Sequence, residues 1–171
     1  MSNSMKKNHP EKQMHTLAPV YDSRSRILIL GSFPSVKSRE TGFYYGHPRN
    51  RFWKVLAGLF GETEPETVPE KRALLLGRGV ALYDVIESCT ITGSSDSSIR
   101  DVVPADLDPI LEAADIRQIF CNGGTSFRLY RRYLESRTGR EALGLPSTSP
   151  ANAACSLEQL LQAWKICLDF V

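Results

Sequence analysis

The feature that most constrains the fold of this chain is a short apolar segment that stops at a glycine. Residues 26–30 include the β-branched Ile27 and Ile29, and Gly31 and Pro34 follow directly. An apolar run of this length, bounded by turn residues, predicts a buried β-strand. The loop that follows the strand is rich in aromatic side chains, and a helical pattern begins after it.

Helical and strand patterns then alternate to the end of the chain. Pro48 precedes the first predicted helix and Gly61 closes it. Its apolar side chains at helical spacing are Phe52, Val55, Leu56, Leu59 and Phe60. The other patterns predict strands over 80–86, 117–121 and 143–145 and a loop over 88–98. They also predict helices over 69–76 and 109–114 and a helix marked by Phe127, Tyr130 and Leu134. A last helix is predicted to be capped by Ser156 and Gln159. This alternation predicts a three-layer α/β/α fold with a mainly parallel sheet.

Length and composition predict one domain. The chain has 171 residues, of which 42% are hydrophobic, and about 150 residues suffice to bury a substantial core. We expect a flexible tail over residues 1–20 and a single domain over 21–171. No apolar run approaches the ~20 residues that a membrane helix needs, and the polar first 15 residues do not resemble a signal peptide. We therefore expect no membrane contact, a cytoplasmic location and a monomer.

The cysteines do not predict a metal site. They stand at 89, 121, 155 and 167 without a C-x-x-C pair, so we expect no metal and no cofactor. Cys121 and Cys167 lie in apolar segments and are predicted to be buried thiols.

Charge is concentrated in one segment. The formal net charge is only +2, but residues 124–140 contain Arg128, Arg131, Arg132, Arg137 and Arg140 against the single acid Glu135. Such a basic patch can contact a phosphate backbone. A solvated helix face would have the same composition.

Standard catalytic signatures do not occur in the sequence. It has no phosphate-binding loop, no dinucleotide fingerprint and no G-x-S-x-G elbow. Of the three histidines, we place only His47 in the folded part. The remaining amides, hydroxyls and aromatic rings suit chemistry that depends on positioning and electrostatics, with water as nucleophile.

Five segments, in order, carry a resemblance to a known family. They are Gly31-Ser-Phe-Pro34 with Lys37-Ser38, Tyr44–Pro48 with Asn50–Trp53, Gly79–Ile86 with Gly93–Ile99, Asn122-Gly123, and Leu145–Ala153. In these segments the chain resembles the uracil-DNA glycosylase superfamily and, within it, the hypoxanthine-DNA (deoxyinosine) glycosylases. The resemblance implies a four-stranded parallel sheet between helices. It also implies hydrolysis of the N-glycosidic bond of a deaminated base flipped out of DNA.

Two positions depart from other branches of the superfamily. Where the mismatch-specific uracil glycosylases carry a catalytic Asn or Asp, this chain has Phe33, and where they carry His or Asn before Pro-Ser, it has Leu145. Both differences fit the hypoxanthine branch and argue against uracil as the preferred base.

The resemblance implies a role for each motif. Asn50 is the predicted catalytic residue, although its position alone suits a helix N-cap equally well. The predicted base pocket comprises Gly31, Ser32, Phe33, Pro34, Tyr44, His47 and Asn122. The predicted DNA-backbone and intercalation loop comprises Ser147, Thr148, Ser149, Pro150 and Asn152. Asp84 or Asp96 could stabilise the sugar cation or merely cap a loop.

Several functions remain open on the sequence. The partner expected from the resemblance is DNA that contains deaminated bases, acted on by a monofunctional glycosylase that leaves the strand uncut. The first alternative keeps the fold and changes the base to uracil or xanthine. The others are a non-catalytic module that binds damaged DNA and a hydrolase of small nucleotides.

Overall fold

The computed structural model describes residues 9–171, and these form two sheets and seven α-helices. Strands β1 to β7 span Glu11–Met14, Ile27–Gly31, Val80–Asp84, Ile86–Ile91, Arg100–Pro104, Gln118–Asn122 and Ala142–Leu145. Helices α1 to α7 span Val36–Thr41, Phe52–Phe60, Val68–Gly77, Asp108–Ala113, Gly124–Tyr133, Glu135–Thr138 and Leu157–Trp164. Each predicted helix, and each predicted strand of the central sheet, is observed with small shifts at its ends.

The central sheet confirms the predicted fold class. Its four strands are ordered β3-β2-β6-β7 and are all parallel. Successive side chains of β2 point to opposite faces. Ile27 and Ile29 pack with α2, α3 and α7, whereas Leu28 and Leu30 pack with α4, α5 and the second sheet. The sheet is thus covered on both faces, which gives the expected layers.

A second sheet was not predicted. Strands β1, β4 and β5 pair antiparallel in the order β1-β4-β5. The predicted strand over 80–86 is therefore divided at Val85, where the chain passes from one sheet to the other. The loop predicted over 88–98 is wrong for residues 88–91, which belong to β4. The strand was missed because the polar Ser88 is buried beside Cys89, so that burial along it does not follow a hydrophobic period.

The predicted flexible tail is also wrong where the structure describes it. Glu11–Met14 pairs with β4, and Leu17 and Val20 are buried in the core. Val20 forms an antiparallel bridge to Leu82 in the central sheet. The tail's first eight residues lie outside the described part. A strand that pairs with a partner far along the chain cannot be recognised from its own polar composition.

Within residues 9–171, no helix combines the length and apolarity needed to cross a bilayer.

Candidate active site

A cavity of about 750 Å³ lies at the carboxyl ends of the central strands, where open α/β sheets place their ligands. The segments that follow β2 and β7 form most of its wall, the loop between β4 and β5 contributes Ser94 to Ser97, and β6 contributes its last residue, Asn122. Its lining includes the predicted residues Gly31, Ser32, Phe33, Pro34, Tyr44, His47, Asn50, Asn122, Ser147, Thr148, Ser149 and Pro150. Asn152 is absent from this lining and instead braces the loop, because its side chain donates to the carbonyl of Ser147 at 3.0 Å.

A directed chain of hydrogen bonds joins Asn50, Thr148 and Asn122. The backbone N–H of Thr148 donates to Asn122 Oδ1, and Asn122 Nδ2 donates back to Thr148 Oγ1, both at 3.0 Å. The Thr148 hydroxyl in turn donates to Asn50 Oδ1 at 2.8 Å. The backbone N–H of Phe52 donates to the same Asn50 oxygen at 3.0 Å.

These hydrogen bonds determine which amide atoms of Asn50 and Asn122 remain available to a ligand in the cavity. A backbone N–H can only donate, so the two bonds from Phe52 and Thr148 identify the oxygen of each amide. Asn50 Oδ1 is therefore occupied, and its Nδ2 donates to none of residues 9–171, so both of its hydrogens are available to a ligand. The oxygen of Asn122 is occupied as well. The N-cap interpretation of Asn50 is wrong, because Arg51 is the residue that directly precedes α2; Asn50 lies one position earlier and accepts from the backbone of Phe52.

The loop after β7 is held by contacts from three directions. Gly123 donates its backbone N–H to Leu145 at 2.8 Å, and Thr148 accepts from the backbone of Arg51 at 3.1 Å. The indole of the fully buried Trp164 donates to the carbonyl of Pro146 at 3.0 Å. The hydroxyl and carbonyl groups of this loop are thereby presented on a rigid support.

The aromatic residues that we predicted for the pocket do line the cavity, but only a small fraction of their surface is exposed. Phe33 is 8% exposed and Tyr44 2% exposed. The Tyr44 hydroxyl donates to the carbonyl of Ala18 at 2.9 Å, and the Arg39 guanidinium lies over the Phe33 ring, 5.5 Å from its centre. His47, by contrast, is exposed at the rim.

A buried histidine behind the cavity was missed from the sequence. The expectation that His47 alone lies in the folded part is wrong, because the His15 side chain is 1% exposed and its Nε2 lies 2.8 Å from Asp84 Oδ2. Asp84 ends β3 and lines the cavity. Nothing local to the sequence around His15 predicts this contact, since 69 positions separate the two residues.

Tyr45 also lines the cavity and was not among the predicted residues. It is one of two described non-glycine residues with a positive φ, at 52°, a conformation that disfavours most side chains. Its ring stacks on Phe52, with centres 4.1 Å apart and planes 20° apart. Strain of this kind tends to persist at functional sites.

A Gly31→Ala substitution should impair the site without altering the backbone of β2. An added Cβ would lie 2.4 Å from Asp84 Oδ1 and 3.0 Å from Tyr45 Oη, so one or both side chains must move. We expect about a tenfold lower affinity for a ligand that uses this part of the cavity, from a cost of ~1.4 kcal/mol. Ligand titration would measure it, with Gly77→Ala as control because no atom lies within 4 Å there. Equal affinities in the two variants would contradict this prediction.

Comparison with known proteins identifies the family. The family model for the uracil DNA glycosylase superfamily matches residues 18–167, and the chain belongs to that superfamily. Among curated proteins it is similar to a hypoxanthine DNA glycosylase of Methanosarcina acetivorans, with 34% identity over 78% of this chain and 84% of the relative. A hypoxanthine DNA glycosylase of Methanosarcina barkeri is 32% identical over 85% of this chain and 92% of the relative.

A solved structure agrees with this assignment. The solution NMR structure of a candidate uracil DNA glycosylase from Methanosarcina acetivorans superposes with a TM-score of 0.76 at 30% identity. The match covers 91% of this chain and 98% of the other.

Proposed function

We propose that this protein is a monofunctional DNA glycosylase that hydrolyses the N-glycosidic bond of hypoxanthine in DNA. The single observation that carries this proposal is the Asn50 amide, whose nitrogen has two N–H donors that no described residue accepts, beside a cavity of about 750 Å³. The relatives named hypoxanthine DNA glycosylase support the choice of base.

The proposed mechanism begins with extrusion of the damaged nucleotide, which costs a few kcal/mol and less at a mismatch. Phe33 and Tyr44 border the space that the base would enter. As the bond to the sugar lengthens, electrons move onto the purine, and Asn50 Nδ2 donates a hydrogen bond to a ring nitrogen that becomes negative. Donors that are already in place stabilise this charge without reorganisation. Water then adds to C1′ of the sugar cation, and the proton that it loses neutralises the purine anion, so that free hypoxanthine and an abasic site are formed.

Ser147, Ser149 and Pro150 are the proposed contacts to the DNA backbone. The expectation that Thr148 also contacts DNA is wrong, because Thr148 is fully buried and its hydroxyl is hydrogen-bonded to Asn50 and Asn122. Hydroxyl groups and main-chain N–H groups are typical ligands of phosphate oxygens, and Pro150 is exposed at the tip, where it could enter the minor groove. Asn152 contributes indirectly, through its bond to Ser147.

Salt dependence tests the proposed role of the basic patch. Arg128, Arg131, Arg132 and Arg137 are exposed on α5 and α6. If they neutralise about two phosphates, affinity for duplex DNA should fall about tenfold between ~50 and ~200 mM salt. Fluorescence anisotropy at several salt concentrations measures the slope, and Arg131→Ala should reduce it by about one. If the affinity of the wild-type protein for duplex DNA does not change with salt concentration, the basic patch does not contact the DNA backbone.

The decisive experiment incubates the protein with a labelled duplex that contains one deoxyinosine. Alkali-labile breaks at that position are the expected result. Breaks before alkali treatment would contradict monofunctional action and would implicate Lys37, an exposed lysine that lines the cavity.

Matched substrates separate the alternatives. Duplexes with uracil or xanthine show whether another base is preferred, and free deoxyinosine shows whether DNA is required. Binding without release of any base would favour the non-catalytic module. The monomeric state and the cytoplasmic location stay predictions.

A further inference from the structure

Two polar atoms at the floor of the cavity keep hydrogen-bonding capacity that the fold does not use. Asp84 Oδ2 is engaged by His15, whereas Asp84 Oδ1 accepts no hydrogen bond from the described residues. Tyr45 Oη is buried and has no hydrogen-bond partner among them. Both atoms adjoin the same point on β2, because a Cβ added to Gly31 would lie 2.4 Å from the first and 3.0 Å from the second.

His15 determines the orientation of the Asp84 carboxylate. The backbone N–H of Leu17 donates to His15 Nδ1 at 3.2 Å, so the imidazole proton is on Nε2 and is donated to Asp84 Oδ2. This contact leaves Oδ1 as the acceptor that faces the end of β2. His15 is supplied by the N-terminal segment, whose strand β1 is anchored to β4. It is therefore a positioning residue.

Tyr45 complements this acceptor with a donor. Burial, followed by the charge of Asp84, raises the pKa of the Tyr45 phenol well above its ordinary value. The Asn122 side chain has a smaller, opposite effect and lowers the pKa of the phenol. It forms no hydrogen bond of normal geometry with the phenol. The hydroxyl therefore keeps its proton. Its strained backbone and its stacking on Phe52 hold it at the cavity floor.

We propose that Asp84 and Tyr45 together recognise the lactam edge of a deaminated base, with His15 holding the carboxylate in place. This inference rests on the proposed function. Deamination of adenine converts the N1 lone pair and 6-amino group into N1–H and a 6-oxo group, and deamination of cytosine creates the corresponding pair in uracil. Asp84 accepts from the ring N–H, and Tyr45 donates to the adjacent oxygen.

This pair separates deaminated bases from their parents by electrostatics. Adenine would direct its N1 lone pair at the carboxylate, which is repulsive, and would leave the acceptor without a donor. A site built to hydrogen-bond a group discriminates strongly against an analogue that lacks it. Guanine shares the lactam edge, so its exclusion must depend on the space around its 2-amino group.

The test compares single-turnover excision of deoxyinosine with that of deoxynebularine, the unsubstituted purine, which has a lone pair at N1 and no 6-oxo group. In Asp84→Asn, His15 still donates to the side-chain oxygen, so an NH₂ group faces the base in place of the acceptor. We expect the ratio of the two rates to fall at least about tenfold below the wild-type ratio. Tyr45→Phe should also lower this rate ratio, because it should slow the excision of deoxyinosine but not that of deoxynebularine.

His15 variants keep the proposal falsifiable if Asp84→Asn fails to fold. His15→Gln retains an N–H donor and should preserve the ratio, whereas His15→Phe should lower it. A rate ratio within about threefold of wild type in every variant that folds, as judged by circular dichroism, would overturn the proposal while leaving the proposed function intact. A wild-type protein that excises no hypoxanthine would instead contradict the proposed function itself.

Discussion

Asn50→Asp is expected to lower single-turnover excision of hypoxanthine by about a hundredfold to a thousandfold, the cost of removing one preorganised donor. The carboxylate still accepts from the Phe52 N–H and the Thr148 hydroxyl, which now occupy Asn50 Oδ1. It also lies at the start of α2, where negative charge is favourable. The variant should therefore fold normally, yet present an anion where the departing purine gathers negative charge.

The same variant distinguishes two ways in which Asn50 could act. If its essential function were to orient water through its oxygen, a carboxylate should replace it well. Activity of Asn50→Asp within about threefold of wild type would contradict the donor role. Asn50→Ala is the matched control, since it removes the donors without adding charge. If Asn50→Ala excises within about threefold of wild type while its stability holds, Asn50 is not catalytic.

Thr148→Val should lower both stability and activity, because it removes a fully buried hydroxyl that serves as donor and acceptor at once. Asn122 Nδ2 loses its acceptor, which costs about 1–3 kcal/mol of unfolding free energy. The Asn50 amide loses one of the two bonds that orient it. We expect excision to fall about a hundredfold, as small displacements of catalytic groups can cause.

Thr148→Ser is the control for this prediction. Serine keeps the hydroxyl and loses only a methyl group, so its excision rate should stay close to wild type. Urea denaturation gives the change in stability and single-turnover kinetics gives the change in rate. If the valine variant excises as fast as the serine variant, the hydrogen-bond chain does not orient Asn50.

The fold could be predicted where the local pattern is strong. Ile27–Gly31 is buried on both faces and ends in a turn, and Ser156 with Gln159 forms the predicted capping box. Such elements are determined by neighbouring residues, so a short stretch contains the information. Cys167 lies in an apolar segment after the last helix and is buried, as expected.

The N-terminal segment shows why the second sheet and part of the cavity escaped prediction. Three of the four residues over 11–14 are polar, and their strand exists because β4 offers an edge to pair with. His15 then reaches Asp84, and Asn50 reaches Thr148, across 69 and 98 positions. No periodicity connects residues so far apart.

The sequence by itself determined the alternating strands and helices and the order of the motifs, because spacing and turn residues act over a few positions. Through the family resemblance, the motifs also indicated many of the residues that line the cavity. Only the tertiary structure decided which polar atoms meet there and which keep free donors or acceptors. Those properties depend on hydrogen bonds between distant segments, which form only when the whole core is assembled.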